Sequence, residues 1–321
     1  MSWGRMLRRT VLAGAGAVAA QGVQQALRNS KRAADLERTN FHGRAVSLAG
    51  GPALAISASV TSAAGSRDAR TAAAVLVAGL ASGAVGAYDD VVGNRPEHKA
   101  KGFRGHLGAL REGRVTSGLV KIAGVGAAGF AAAALLPKSR RGGAGKAVET
   151  LLGAGVVAGS ANLFNLLDLR PGRALKAGII TGTPLVFGQK GGMMAGPLGA
   201  AAGSLPPDLG EETMLGDCGA NALGALIGTA YSARTGIAGK LLALAVIGGL
   251  TAASEKVSFT TVIERTPALK AIDDLGRLKH AAPTAAPAVT AEPETQPEPE
   301  PKTQPKTPPG SPEPDRLSPA E

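Results

Sequence analysis

Charge is absent from nine long stretches of the chain: Thr10 to Leu27, Ala45 to Ser66, Thr71 to Tyr88, Ile122 to Pro137, Thr150 to Leu167, Ala177 to Gln189, Gly191 to Pro207, Cys218 to Ala233 and Leu241 to Ser254. Most approach the roughly 17 to 25 residues that an α-helix needs to cross a hydrocarbon core of about 30 Å. One apolar run alone fits a buried strand or core helix as well as a membrane span. The succession is what predicts an all-α, polytopic membrane bundle of about nine transmembrane helices. Four glycine pairs at four-residue spacing, Gly79 with Gly83, Gly192 with Gly196, Gly199 with Gly203 and Gly224 with Gly228, suit close helix approach.

The segments between the spans set a direction. Arg28 to Arg44 and Asp89 to Arg114 are rich in arginine and lysine, and counting alternate loops brings the segments around Asp168, Asp208 to Asp217, and Glu255 onward to the same side. The positive-inside tendency makes that side cytoplasmic and leaves the N-terminus outside. Arg5, Arg8 and Arg9, with Lys138, Arg140, Arg141 and Lys146, then fall on the other side. An alternative is that Arg8-Arg9-Thr10-Val11-Leu12, followed by Ala17-Val18-Ala19, is a cleaved twin-arginine export signal, which would reverse every assignment.

Composition divides the chain into residues 1–280, an integral-membrane domain, and residues 281–321, a disordered tail expected in the cytoplasm. The tail holds 12 of the 21 prolines, with a Pro-Glu alternation from Pro297 to Pro301 that favours extended polyproline II. Its net −4 leaves +15 on the remainder of a chain of net +11. One cysteine excludes an internal disulfide or a cysteine-based zinc site, and nine aromatics leave little for stacking on bases, so no nucleic-acid partner is expected.

Four polar clusters fall on the predicted cytoplasmic side. Tyr88-Asp89-Asp90 ends the third span, and adjacent carboxylates there are costly to desolvate unless paired with cations or a metal; Lys99, Lys101, Arg104 and His106 follow. Asn162, Asn165 and Asp168 recur at steps of three, along one stripe of the fifth span. Gly216-Asp217-Cys218-Gly219 opens the eighth span, where backbone amides can meet anionic groups and Asp217 can hold a divalent cation. Thr266-Pro267 starts an interfacial helix with an apolar edge of Leu269, Ile272, Leu275 and Leu278, which puts Asp273 and Asp274 on its wet side.

In this order, Tyr88-Asp89-Asp90, Lys101-Gly102, Asn165-Leu166-Leu167-Asp168 and Gly216-Asp217-Cys218-Gly219 resemble the polyprenyl-phosphate N-acetylhexosamine-1-phosphate transferases. That family includes phospho-N-acetylmuramoyl-pentapeptide transferase. The resemblance runs from about Arg38 to Arg277 and takes in Gly50-Gly51. It implies a Mg²⁺-dependent exchange at the cytoplasmic membrane face, in which a UDP-amino sugar and polyprenyl phosphate give a polyprenyl diphosphate sugar and UMP. It also implies roles: Asp89 and Asp90 at the lipid phosphate, Asp168, Asn165 and Asn162 in the nucleotide and metal region, Asp217 on Mg²⁺, and Lys101 on phosphate. The chain departs from the family in lacking a histidine-rich loop and in reading Leu169-Arg170-Pro171-Gly172-Arg173 where an acidic group is usual; His106, Arg170 and Arg173 are then the available positive contacts. Alternatives are an inactive relative that binds lipid phosphate or nucleotide sugar as a scaffold, and a transporter. A homodimer is one open oligomeric state.

Overall fold

The computed structural model describes residues 2–40, 42–93, 116–139 and 142–278. Lys101, His106 and the tail from 281 onward lie outside the described residues. Those described form eleven α-helices and one two-stranded ribbon. In chain order the helices are α1 (Trp3–Arg28), α2 (Gly50–Gly65), α3 (Ala69–Val92), α4 (Ser117–Leu135), α5 (Gly143–Leu167), α6 (Arg173–Gly182), α7 (Gly192–Leu209), α8 (Gly216–Ser232), α9 (Ile237–Ser254), α10 (Phe259–Arg265) and α11 (Pro267–Asp274).

Four of these, α3, α4, α5 and α9, are long and apolar enough to cross a membrane, which marks the chain as a membrane protein. The other predicted spans are helical in whole or in part but do not meet that measure, and Ala177 to Gln189 stays α-helical only to Gly182. At 1.5 Å per residue, α2 and α8 reach only about 24 to 26 Å, and α7 carries three internal prolines and Asp208. The difference has a packing cause. Nearly every residue of α8 is buried in protein, whereas α9 is only 6% buried along its apolar window. A helix enclosed by its neighbours needs small residues for close contact, and one facing lipid needs large apolar ones.

All four glycine pairs read from the sequence serve such contacts. A Cβ on Gly199 would stand 1.8 Å from the Ala13 carbonyl of α1, and one on Gly203 would meet Ala17. Gly192 and Gly196 admit Gly65 and Thr61 of α2, Gly79 and Gly83 face Ser59 and Ala55, and Gly224 and Gly228 lie against α5 at Ser160 and Val156. Ala17, at the candidate cleavage site, is thus mid-helix and packed against α7. Arg8 donates to the Ala64 carbonyl at 2.8 Å, and Arg9, 7% exposed, donates to that of Gly188.

Two features depart from the sequence reading. Between α1 and α2 the basic segment forms an antiparallel ribbon, β1 (Glu37–Thr39) with β2 (Ala45–Ser47), which bonds the strand-like approach to α8: Ser47 N–H donates to Glu212 and Met214 N–H to Ser47. At the other end of the chain, Asp273 is not on a wet side. It is 6% exposed and takes a two-pronged bond from Arg173 at 2.8 and 2.9 Å, with Arg277 at 3.0 Å. Lys176 caps the carbonyls of Ile272 and Asp273 at 3.1 and 2.6 Å. The polar side of α11 therefore docks on the bundle, and its apolar edge, Leu269, Ile272, Leu275 and Leu278, faces outward.

Candidate functional site

The approach to α8 is where the separated clusters meet. Gly50 and Gly51 at the start of α2 let the Met214 and Leu215 carbonyls lie within 2.8 and 2.3 Å of where a Cβ would sit, and Gly86 of α3 leaves the same room for that of Asp217. Gly216 adopts φ +59, a left-handed conformation that favours glycine, and a Cβ there would touch both Asp90 carboxylate oxygens at 2.8 and 2.9 Å. Asp90 uses those oxygens to accept the Asp217 and Cys218 backbone N–H groups at 2.9 and 3.0 Å. It thereby fastens the last turn of α3 to the first turn of α8, satisfying amides that have no partner inside the helix.

With Asp90 so engaged, Asp89 turns the other way. Lys121 of α4 reaches it at 3.3 Å, donates to Asn165 Oδ1 at 2.9 Å, and also bonds Asp217 Oδ2. Asn165 completes the ring by donating its amide to Asp217 Oδ1. One ammonium therefore joins three elements, with Lys121 and Asp89 each 16% exposed and Asp217 26%. Asp89, Asn165 and Asp217, far apart in sequence, share one centre.

Asn162, one turn along α5 from Asn165, is exposed and makes a different contribution. It lines a groove of about 510 Å³ that begins at Asp89, Lys121 and Glu255 and continues past Ile122, Val125 and Ala158. The groove is polar at its mouth and apolar beyond it. Asn221 of α8 borders it with no exposure, and among the described residues neither its amide atoms nor the Thr251 hydroxyl of α9 has a hydrogen-bond partner.

Asp168 caps α5 and lines a separate recess of about 250 Å³ with Asp208 and Glu211. Burial pushes its carboxyl well above the usual range, and the charges of Asp208, Asp217 and Asp90 add to that. It is thus an electrostatic neighbour of the central pair but opens to another side. Arg173, expected as a positive contact, is occupied by Asp273, and Arg170 lies 4.0 Å from Glu264.

Sequence reasoning misses Lys121, which stands one residue before the uncharged run that begins at Ile122. The available signal was a lone lysine interrupting an otherwise uncharged run from Val115 to Pro137, a placement that is expensive unless a partner faces it; Thr116, which caps α4 through the Leu119 N–H at 3.2 Å, puts Lys121 inside the helix. Asp208 and Glu211 carried no comparable signal.

Oxygen donors from Asp89, Asp217 and Asn165 around one cation are suited to Mg²⁺, which is commonly held by one or two carboxylates and completed by phosphate and water. Among the described residues no three His, Cys, Asp or Glu side chains are grouped closely enough to cage an ion by themselves. No family model and no curated protein matches the chain.

Proposed function

We propose that the chain is a phosphoglycosyl transferase of about nine membrane passes, moving a sugar 1-phosphate from a UDP-N-acetylated amino sugar to polyprenyl phosphate for cell-envelope polymer synthesis. The observation that carries this reading is the Asp89–Lys121–Asp217–Asn165 ring at the mouth of an apolar groove. Phosphoryl transfer asks for carboxylates and cations held where phosphate charge develops, and a long isoprenoid asks for an apolar channel leading to them.

A lipid phosphate oxygen attacks the β-phosphorus of the UDP-sugar, the bond from that phosphorus to the bridging oxygen breaks, and UMP leaves with the electron pair. Lys121 balances charge on the transferred group, and Asn165 orients Asp217. Asp90 acts as a positioning residue through the α8 backbone. Asp89 and Asp217 would hold Mg²⁺, which when bound supplies positive charge to the phosphate oxygens. Asn162 borders the lipid path. Lys101 and His106, outside the described residues and expected from the sequence to be cytoplasmic, would supply the nucleotide contacts.

The test is UMP release by purified full-length protein given polyprenyl phosphate, Mg²⁺ and a panel of UDP-amino sugars. Release should need all three components and fall at least a hundredfold, on the scale of losing a charged transition-state contact, in Asp217→Asn and Asp89→Asn. A second reading is supported by Lys121 itself, whose ammonium already neutralises the carboxylate pair: an inactive relative that retains polyprenyl phosphate without turnover. Saturable binding of the lipid with no UMP from any sugar would select that reading.

A further inference from the structure

The end of the bundle opposite the carboxylates holds a second recess, of about 860 Å³, that the proposed reaction does not use. Chain direction fixes its position. Arg70 opens α3, whose far end carries Asp89 and Asp90; Lys138 follows α4, which begins beside Lys121; Lys146 stands in the first turn of α5, whose far end carries Asn165 and Asp168. All three cations line the recess, and among the described residues no carboxylate does.

Arg70 and Lys146 are exposed and form no ion pair among the described residues. Lys138 is oriented by donating to the Ala133 carbonyl near the end of α4. Arg70 and Lys146 each stand in the first turn of a helix and face the positive end of its dipole, a place that favours an anion over a cation, while Lys138 feels the buried Glu149 and Lys240 from behind the recess. The adjoining wall is apolar and open. Phe130 is 50% exposed and Leu151 61%, on helices of which only 28% and 33% of the apolar window is buried in protein. A free anion would satisfy the cations but leave that wall unused.

We propose that this recess binds an anionic phospholipid of the surrounding leaflet, with its phosphate among Arg70, Lys138 and Lys146 and an acyl chain along Phe130 and Leu151. Charge complementarity selects an acidic headgroup, and the wall selects a lipid over a soluble phosphate.

The experiment uses delipidated full-length protein in neutral detergent, titrated with phosphatidylglycerol or phosphatidylcholine of matched acyl chains and read by native mass spectrometry. Phosphatidylglycerol should bind saturably and well ahead of phosphatidylcholine. Arg70→Ala with Lys146→Ala should weaken it about twenty-five-fold, at roughly fivefold per cation near a charged lipid surface. The charge-keeping pair Arg70→Lys with Lys146→Arg should retain binding, as should Lys31→Ala with Arg32→Ala at the other end of the bundle. Both sites are exposed, so the variants should keep wild-type helix content by circular dichroism. Equal retention of the two lipids, an equal loss in the Lys31 and Arg32 control, or displacement by millimolar inorganic phosphate would overturn the proposal.

Discussion

Replacing Lys121 by methionine removes the charge and keeps most of the volume. Asp89 and Asp217 also face each other within hydrogen-bonding reach, so without the lysine their mutual repulsion, at about 4 Å, is about 4 kcal/mol at an effective dielectric of 20. Part is relieved when one carboxyl takes up a proton, so the expected loss of stability is about 2 to 3 kcal/mol, or roughly 5 °C in a domain of this size. Adding Asp89→Asn restores charge balance and should return most of that loss, whereas Asp89→Asn alone leaves Lys121 with Asp217 and should be mild. Thermal unfolding of the four proteins in one detergent gives the double-mutant cycle. Mg²⁺ supplies a second readout: with the competing ammonium gone it should stabilise Lys121→Met more than wild type. A cycle in which the double variant is no more stable than Lys121→Met, together with no added Mg²⁺ effect, would refute the shared-cation reasoning.

Further expectations follow from neighbouring residues. Gly216→Ala combines a left-handed backbone with contact to the Asp90 carboxylate and should cost about 2 to 3 kcal/mol, seen as a lower unfolding midpoint. Asn221→Leu removes a buried amide that has no partner among the described residues and should raise the midpoint by the equivalent of about 1 kcal/mol; a lower midpoint would mean that the amide has a partner. Burial works against the charge of Asp273, but the bonds and charge of Arg173 and Arg277 outweigh it and hold the carboxyl below its ordinary value. Docking of α10 and α11 is therefore fully supported above the ordinary carboxylate pKa of about 3.9 and weakens as pH falls through the lowered folded value. Hydrogen exchange should report that loss at low pH, and Asp273→Asn should show raised exchange in both helices even at neutral pH.

Much of this was legible because charge is so sparsely distributed. Runs without charge marked every long helix, and glycines four apart marked contacts, since both follow from the environment that encloses a membrane helix. The meeting of Asp89, Asn165 and Asp217 could also be anticipated, because polar groups at span ends on one side of a bilayer share a plane. What was not legible depends on pairing across elements. Nothing local in Asp273 distinguishes a solvated carboxylate from one gripped by Arg173 a hundred residues earlier. Likewise, the division of labour between Asp89 and Asp90 arises from α8 amides that only the packed bundle brings to Asp90. The ribbon between α1 and α2 has strands of three residues, too short for alternation to register.

Helix α9 is held very unevenly along its length. Near its start Lys240 forms a buried ion pair with Glu149 at 3.2 Å, and midway Leu244 and Ile247 lean into the gaps at Gly155 and Gly159 of α5. Its last turn, with Thr251 and then Glu255, borders the groove, and most of its remaining surface is exposed among the described residues. It is built like a cantilever, clamped at one end and loosely seated at the other, with the loose end acting as a doorpost. Moving that end breaks few contacts among the described residues, so in a bilayer the width of the groove at α9 should respond to the acyl chains beside it as well as to the fold.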